Sequence, residues 1–553
     1  MKRWQLYPQK SKDLIKQILI NRKIPKENWK TFLAPNYEKD FHNPFLLPDM
    51  DKAVERFIAA LKEKEKIAIF GDFDADGIPG AVLFYNFCQF FKLPCEVFIP
   101  DREEGYGLNK NAVEEIYRQG IKLLVTIDCG ITNLTEICLA QRMGIDVIIL
   151  DHHEEGKRLP QALAIIDAKR SDSKYPFREL CATGIVFKFI QAITKKLKKP
   201  GQNQLKWWLD LVGLATIADI VPLVDENRIL AKYGLIVLQK TKNLGLKTLY
   251  KTANIVAENI NPYTVSFQIA PRINAPGRMD HANLSFYLLT NQNKEEAENL
   301  ALKINRLNEN RQTRLGKILK EAQAKVEKGK LHQKKVIMVE GENWPSGMIG
   351  LVAGKLCEQF ARPALVLSKG KDFSKGSARS IDGFHIVEAL EGAKEYLQKF
   401  GGHARAAGFA LENRHLDNLY NRLLEVAESK LKDEDLVPRI SVDAKIGAEN
   451  LNLDFYEDIK KLEPFGMGNP RPVFLLEKAK ILDIKTMGQK NQHLRLWLEK
   501  DNKNIGAVGF DMSGFAQNLS YNKLIDLVFT LDEDNWNGRR RLDLKLLDLK
   551  NNS

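Results

Sequence analysis

The sequence predicts an α/β protein of several domains: a parallel-sheet domain, a long helix leading to a second, smaller α/β domain, and a C-terminal β-barrel. Three observations carry this expectation. Short apolar runs alternate with helical stretches from about residue 50, a helical apolar period persists through NKEEAENLALKINRLNENRQTRLGKILKEAQAKVEKGK, and after Pro438 the pattern changes to short strands broken by Gly, Asn and Asp. A chain of 553 residues, at roughly 150 residues per domain, has room for three or four folding units.

Taken in order, the first 45 residues, with Trp4, Tyr7 and Trp29, carry no recognisable chemistry and are expected to cover the domain that follows. The runs KIAIF, EVFIP, LLVTI, VIIL and LAIID are nearly continuous in Ile, Val and Leu, as parallel strands covered by helices on both faces should be. Residues 204–320 read as mainly helical, and Leu300, Ile304, Leu307, Leu315, Ile318, Ala322 and Val326 recur at the spacing of one amphipathic connecting helix. KVIMVE, ALVLS and SARSI supply strands of the second α/β unit, with helices through Leu356 and after His385. AKILDI, LRLWL, IGAVGF, LIDLVFTL and RLDLKLLDL read as a small antiparallel barrel or sandwich. The expected divisions are 1–45, 46–230, 231–330, 331–437 and 438–553.

Composition narrows the function classes. Hydrophobic residues at 44% and charged residues at 28% exclude a disordered or collagen-like chain. The 84 Lys+Arg against 71 Asp+Glu give a net charge of +13, which suits a polyanionic partner. The six cysteines, Cys88, Cys95, Cys129, Cys138, Cys181 and Cys357, form no CxxC pair and read as reduced thiols. The longest apolar stretch, Leu211 to Val224, is interrupted by Asp219 and Pro222, so no membrane span is expected. MKRWQLYPQK has no apolar segment after its basic start, which predicts a cytoplasmic protein without a signal peptide.

Chemistry concentrates in acidic residues at strand ends. GDFDADG places Asp72, Asp74 and Asp76 after the first strand, TIDCG adds Asp128, the fourth strand ends in Asp151-His152-His153, and Asp219 lies in LATIADIVPLV. Each acid alone reads first as a turn, a helix cap or the partner of an arginine. Together on one sheet edge they repel one another unless protons or cations neutralise them. Oxygen ligands with one or two imidazoles suit Mn²⁺ or Mg²⁺, and two such ions about 3.5–4 Å apart serve phosphoester hydrolysis.

Other motifs are compatible with a phosphate-bearing ligand. Ser377 and Arg379 sit two apart in a strand, so both face one side; Arg379 paired with an acid of its own domain is the competing reading. GGHARAAG sets His403 and Arg405 at the start of a strand after two glycines, a phosphate cradle or simply a turn. Asn343-Trp344-Pro345 is a base-stacking loop or a packed turn. In the barrel, Trp497, Phe510, Phe515 and Trp536 are interleaved with Lys485, Lys490, Arg495 and Arg539-Arg540-Arg541, the composition of a single-strand-binding surface or of an ordinary core with a basic rim.

GDFDADG, TIDCG, Asp151-His152-His153 and the ADIVPL acid, in that order, resemble the DHH phosphoesterase superfamily, and SARSIDGFHI with GGHARAAGF resembles its DHHA1 domain. With APRINAPGRM and LEPFGMGNP the chain is similar, from about residue 50 onward, to the family of RecJ-type exonucleases. The resemblance implies a DHH catalytic domain, a DHHA1 domain and an OB-like barrel. It implies a single-stranded-DNA-specific 5′ to 3′ exonuclease of DNA repair and recombination, using two divalent ions, Mn²⁺ or Mg²⁺, and releasing 5′ mononucleotides. Asp74 and Asp128 would ligate one ion, and Asp76, Asp128, His152 and Asp219 the other, with Asp128 as the bridge. His153 would act at the scissile phosphate, with Asp72 in support. Arg102, Arg278, Ser377 and Arg379 would hold the 5′ phosphate, and His403 and Arg405 would contact substrate. A monomer working with single-strand-binding protein and a helicase is the implied setting. Turnover of very short oligonucleotides, and a catalytically silent scaffold, are the competing functions.

Overall fold

Alternate residues of buried strands feed opposite faces of a sheet, and that periodicity builds the first domain of the computed structural model, which describes residues 2–102, 104–534 and 540–551. An N-terminal helix, α1 (Leu14–Asn21), is capped by the Asp13 carboxylate, which accepts from the Ile15 and Lys16 amides. The sheet follows: β1 (Ile67–Gly71), α2 (Gly77–Phe90), β2 (Cys95–Phe98), β3 (Leu123–Ile127), β4 (Asp146–Leu150) and β5 (Ala164–Ile166). All pairings are parallel, in the order β2-β1-β3-β4-β5. Ile67, Ile69, Leu123, Val125 and Ile148 pack into one core, while Ala68, Phe70, Leu124, Val147 and Ile149 pack into the core of the other face. Helices α3 (Ala182–Leu197), α4 (Leu209–Ala218) and α5 (Asp225–Gln239) complete this layer. The order reverses between β1 and β3, and such a switch point is where open α/β sheets bind ligands.

The chain divides into two compact units, Leu6–Asn305 with Ser441–Ser553, and Arg306–Ile440 with Met1–Gln5. The expected connecting helix is a single element, α6 (Lys294–Lys328), 35 residues long. In the second unit, β6 (Ile337–Glu342), α7 (Ser346–Phe360), β7 (Ala364–Lys369), β8 (Phe373–Arg379), β9 (Lys399–His403) and β10 (Ala406–Glu412) form a mixed sheet in the order β9-β10-β8-β7-β6. Leu365, Leu367, Ala378, Phe409 and Leu411 fill its core.

The barrel belongs to the first unit. Its strands are β11 (Ala444–Lys445), β12 (Phe474–Met487), β13 (His493–Lys500), β14 (Lys503–Gly509), β15 (Leu524–Asp534) and β16 (Arg541–Asn551). They run in the order β11-β12-β13-β14-β16-β15, and β12 pairs with β15 to close the barrel. Most pairings are antiparallel, but β11 with β12 and β14 with β16 run parallel. Ile18, Leu19 and Phe32 are buried in the same core as Phe474, Leu496 and Phe529. Only from Tyr37 onward does the N-terminal segment join the core of the parallel sheet. The expectation that the first 45 residues cover the first α/β domain holds only from Tyr37 onward; α1 and Phe32 instead bury their apolar side chains in the core of the barrel. Among the described residues, no helix is long and apolar enough to cross a membrane, and all six cysteines are free, four of them buried.

Candidate active site

Four adjacent strands end in register, Gly71 beside Ile127, Ile127 beside Leu150 and Leu150 beside Ile166, so the residues just past them share one edge. After β1 the chain folds tightly back on itself. A side chain at Gly77 would lie 2.5 Å from the Asp72 carbonyl oxygen, so glycine is required for α2 to start there. The Asp74 carboxylate accepts from the Asp76 and Gly77 amides. Asp76 is held from the other side, where the first amides of α3 donate to both its oxygens, Ala182 at 2.7 Å and Thr183 at 2.8 Å. Asp128 follows β3 in the left-handed region, with φ at 64°, a conformation Asp tolerates better than most residues.

The imidazoles meet these acids directly. His152 Nε2 lies 3.2 Å from Asp128 and 3.9 Å from Asp76, and its Nδ1 lies 3.7 Å from Asp219. Potential ligand atoms gather in three overlapping groups, Asp72-Asp74-Asp128, Asp128-His152-His153 and Asp76-His152-Asp219. Asp128 is common to two of them. The donors are carboxylate and imidazole alone, which fits Mn²⁺ or Mg²⁺.

Electrostatics give the same picture. Burial, then the charges of Asp76, Asp74, Asp72 and Asp219, drives the Asp128 carboxyl well above its ordinary range. Burial and Asp74 do the same to Asp72, whose Oδ1 is buried without a hydrogen-bond partner. Asp76 is pushed up to about 6 and Asp219 to about 8, by burial first and neighbouring carboxylates second. Four carboxyls so displaced are a site that wants positive charge.

Two groups here were given no role from the sequence, Asp151 although it opens the Asp-His-His motif, and Tyr106. Asp151 is buried, accepts from the Ile131 and His152 amides, and lies 2.7 Å from His153 Nδ1. Burial disfavours the His153 cation, but the Asp151 hydrogen bond and the charges of Asp151, Asp219 and Asp76 outweigh it, pushing the imidazole up to about 9. Tyr106, from a loop without periodicity, donates its hydroxyl to the Asp128 carbonyl at 2.7 Å and lies 3.0 Å from His153 Nδ1.

Of the sequence-predicted phosphate contacts, Arg102 stands beside this centre. Its guanidinium packs 4.5 Å over the Phe73 ring, donates to the Gly277 carbonyl and feels the charges of Asp72 and Asp74. Half-buried Arg278 is the next residue after Gly277. In the other unit, Ser377 and Arg379 face the glycine side of α7: a side chain at Gly350 would lie 2.9 Å from Ser377 Oγ and 3.3 Å from Arg379 Nη2. Arg379 donates to the Ala378 carbonyl, and among the described residues no acid lies within 4 Å of it, which disposes of the own-domain ion pair. His403 ends β9 and Arg405 lies in the turn before β10, not at a strand start as the sequence suggests, and Arg405 pairs with Asp382. The second glycine of that motif, at φ 146°, serves the hairpin. Trp344 is a packed turn, 4% exposed, its indole donating to Glu321.

On the barrel, Trp497 is half-buried with Lys485 5.1 Å and Arg495 5.3 Å from its ring centre, and Phe510 is exposed. Phe515 packs against the core. Trp536 and Arg539 lie outside the described residues.

Comparison with known proteins agrees with this geometry. Family models match as the DHH family N-terminal domain at residues 66–216, the DHHA1 domain at 333–433 and the RecJ OB domain at 442–548. The single-stranded-DNA-specific exonuclease RecJ of Bacillus subtilis is 36% identical over 97% of this chain and 67% of its own length. The protein of that name from Haemophilus influenzae is 32% identical over 92% of this chain and 91% of its own. The crystal structure of RecJ from Thermus thermophilus in complex with Mn²⁺ superposes with a TM-score of 0.83 at 26% identity, covering 100% of this chain and 80% of that one. With the shared DHH edge, the mixed DHHA1 sheet and the closed OB barrel, the chain belongs to the RecJ family.

Proposed function

We propose that this chain is a single-stranded-DNA-specific 5′ to 3′ exonuclease that hydrolyses phosphodiester bonds with two divalent ions and releases 5′ mononucleotides. The observation that carries the reading is the overlap of three ligand groups at one sheet edge, with Asp128 shared between two of them. Asp74 and Asp128 would hold one ion; Asp76, Asp128, His152 and Asp219 would hold the other. When bound, such ions supply a water acidified to near neutrality and charge compensation for the departing oxygen.

The chain's own groups do the rest. Asp151 orients His153 and keeps it cationic, so His153 can hydrogen-bond the scissile phosphate or hand a proton to the leaving oxygen. Tyr106 restrains both His153 and the Asp128 backbone. Arg102 and Arg278 are suited to a phosphate near the acids, and Ser377 with Arg379, and His403 with Arg405, to further phosphates of the strand, setting direction through the 5′ phosphate. The exposed aromatic and basic groups of the barrel suit bases and backbone of a single strand. Repair and recombination in the cytoplasm, as a monomer beside single-strand-binding protein and a helicase, is the setting this activity suits.

A DNA about thirty nucleotides long, labelled separately at each end, tests the reading in Mn²⁺, in Mg²⁺ and in chelator. Metal-dependent release of the 5′-terminal mononucleotide, abolished by Asp128→Ala and slow on blunt duplex, is expected. Release from the 3′ end, or equal rates on duplex and single strand, would overturn it.

A further inference from the structure

Apart from the acidic edge, the first unit encloses a cavity of about 540 Å³. Its walls come from residues 22–42, from Phe177 and from Val224–Ile229 at the start of α5. Two arginines line it. Arg228 is 1% exposed, and its guanidinium donates to four backbone carbonyls, those of Phe32, Lys461, Leu462 and Glu463. Arg22 donates Nη2 to the Pro470 carbonyl, while its Nε and Nη1 are buried with no hydrogen-bond partner. Among the described residues no carboxylate lies within 4 Å of either guanidinium. Asp443 and Glu463 attract the two groups only from further off, and two buried Arg22 donors lack an acceptor, an arrangement that an entering anion would relieve. Burial, then repulsion from Arg22, brings Arg228 down to about 9.

The acids in the wall are already engaged. Asp225 lies 2.8 Å from His42 Nε2, and Asp40 accepts from the Asn36 amide at 2.6 Å. Exposed Lys23 adds a third cation at the rim. The remaining lining is mainly apolar, with Ile24, Phe32, Phe177, Val224 and Ile229, and Asn28 and Thr31 add polar groups. A cavity of this size, cationic at one side and mainly apolar over the rest with a few polar groups, fits a small ligand that joins a phosphate to a flat, weakly polar body.

We propose that this cavity binds a nucleoside phosphate, its phosphate at Arg22 and Lys23 and its base against the apolar wall. The site does not depend on the nuclease reading. Its wall at Val224 and Asp225 nonetheless continues from the segment carrying Asp219, so an occupant is placed to stiffen that segment.

Titration calorimetry on the full chain in chelator, with inorganic phosphate, pyrophosphate, dAMP and ADP as probes, tests this. Saturable one-to-one binding of dAMP or ADP, tighter than that of inorganic phosphate, is expected, and the two nucleotides separate a monophosphate from a diphosphate ligand. Asp128→Ala should leave that affinity within about twofold, whereas Arg22→Met should lower it about tenfold or more. Thr31→Trp, a plug at an exposed wall position that keeps both arginines, should act likewise. Melting curves that match the parent establish that both variants are folded. No binding by any probe at about 5 mM, or binding lost in Asp128→Ala and kept in Arg22→Met, would overturn the site.

Discussion

Asp128 holds its carboxylate where strands, ligands and strain meet. The left-handed backbone there costs on the order of 1 kcal/mol, and the residue is buried among four other acids. Without cations this cluster works against the fold. The sign follows from proton binding. Asp76 at about 6 and Asp219 at about 8 have folded values above their ordinary 3.8, so the folded state holds more protons than the unfolded one. Stability then falls as pH rises from 3.8 through 8. In chelator, the melting temperature of the first unit should drop between pH 5 and pH 8, and Mn²⁺ should reverse the drop; a flat profile in chelator would contradict the account. Asp151→Asn tests the other half of the site. His153, at about 9, loses its proton as pH rises through that value, and divalent ions nearby would lower the value further. The alkaline limb of the nuclease rate is expected at or below about 9, moving downward by about 1–2 units in Asp151→Asn with about 10- to 100-fold lower kcat.

Asp219 is presented by an element rather than a loop. It sits one residue past α4, and α4 crosses α5 through Gly213 and Gly234, where an added Cβ at Gly213 would fall 2.6 Å from the Gly234 Cα. Gly213→Ala must wedge the helices apart. A loss of about 1–3 kcal/mol in urea unfolding is expected, together with weaker Mn²⁺ binding, because the C-terminus of α4 moves with the wedge. Unchanged stability would mean that the crossing relaxes without cost.

At this scale the sequence is informative wherever a signal is local. The Ile/Val/Leu runs before Gly71, Asp128 and Asp151 became strands because both faces of the sheet are covered, and the acids following them had to share an edge once those strands lay in register. The 3.6 period of α6 was equally plain. Tyr106, Trp344 and α1 were not legible in the same way. Each takes its place from a partner distant in sequence: His153 for Tyr106, Glu321 for Trp344, and for α1 a barrel whose first strand begins at Ala444. The turn at Arg405 was misplaced by a single step, since strand ends depend on which residue pairs last.

At the scale of the molecule, the barrel and the parallel sheet are fastened through Arg228, three of whose four carbonyl acceptors, Lys461, Leu462 and Glu463, precede β12. Ending the chain at Ile440 would strip these acceptors from a buried cation and uncover Ile18, Leu19 and Phe32. The fragment should aggregate, or bind a hydrophobic dye and melt about 10 °C or more below the intact chain. A fragment that melts like the parent would show the barrel to be an independent appendage.

The pairing of α1 with the barrel also has a temporal side. Translation delivers Ile18 and Leu19 about 450 residues before Phe474, a delay of roughly 20–90 s at ordinary elongation rates. For that interval a short amphipathic helix waits with its greasy side uncovered, until the barrel strands that shelter it are made. Nascent chains therefore complete this core only once the barrel strands have emerged, which makes α1 the natural place for a chaperone to hold on.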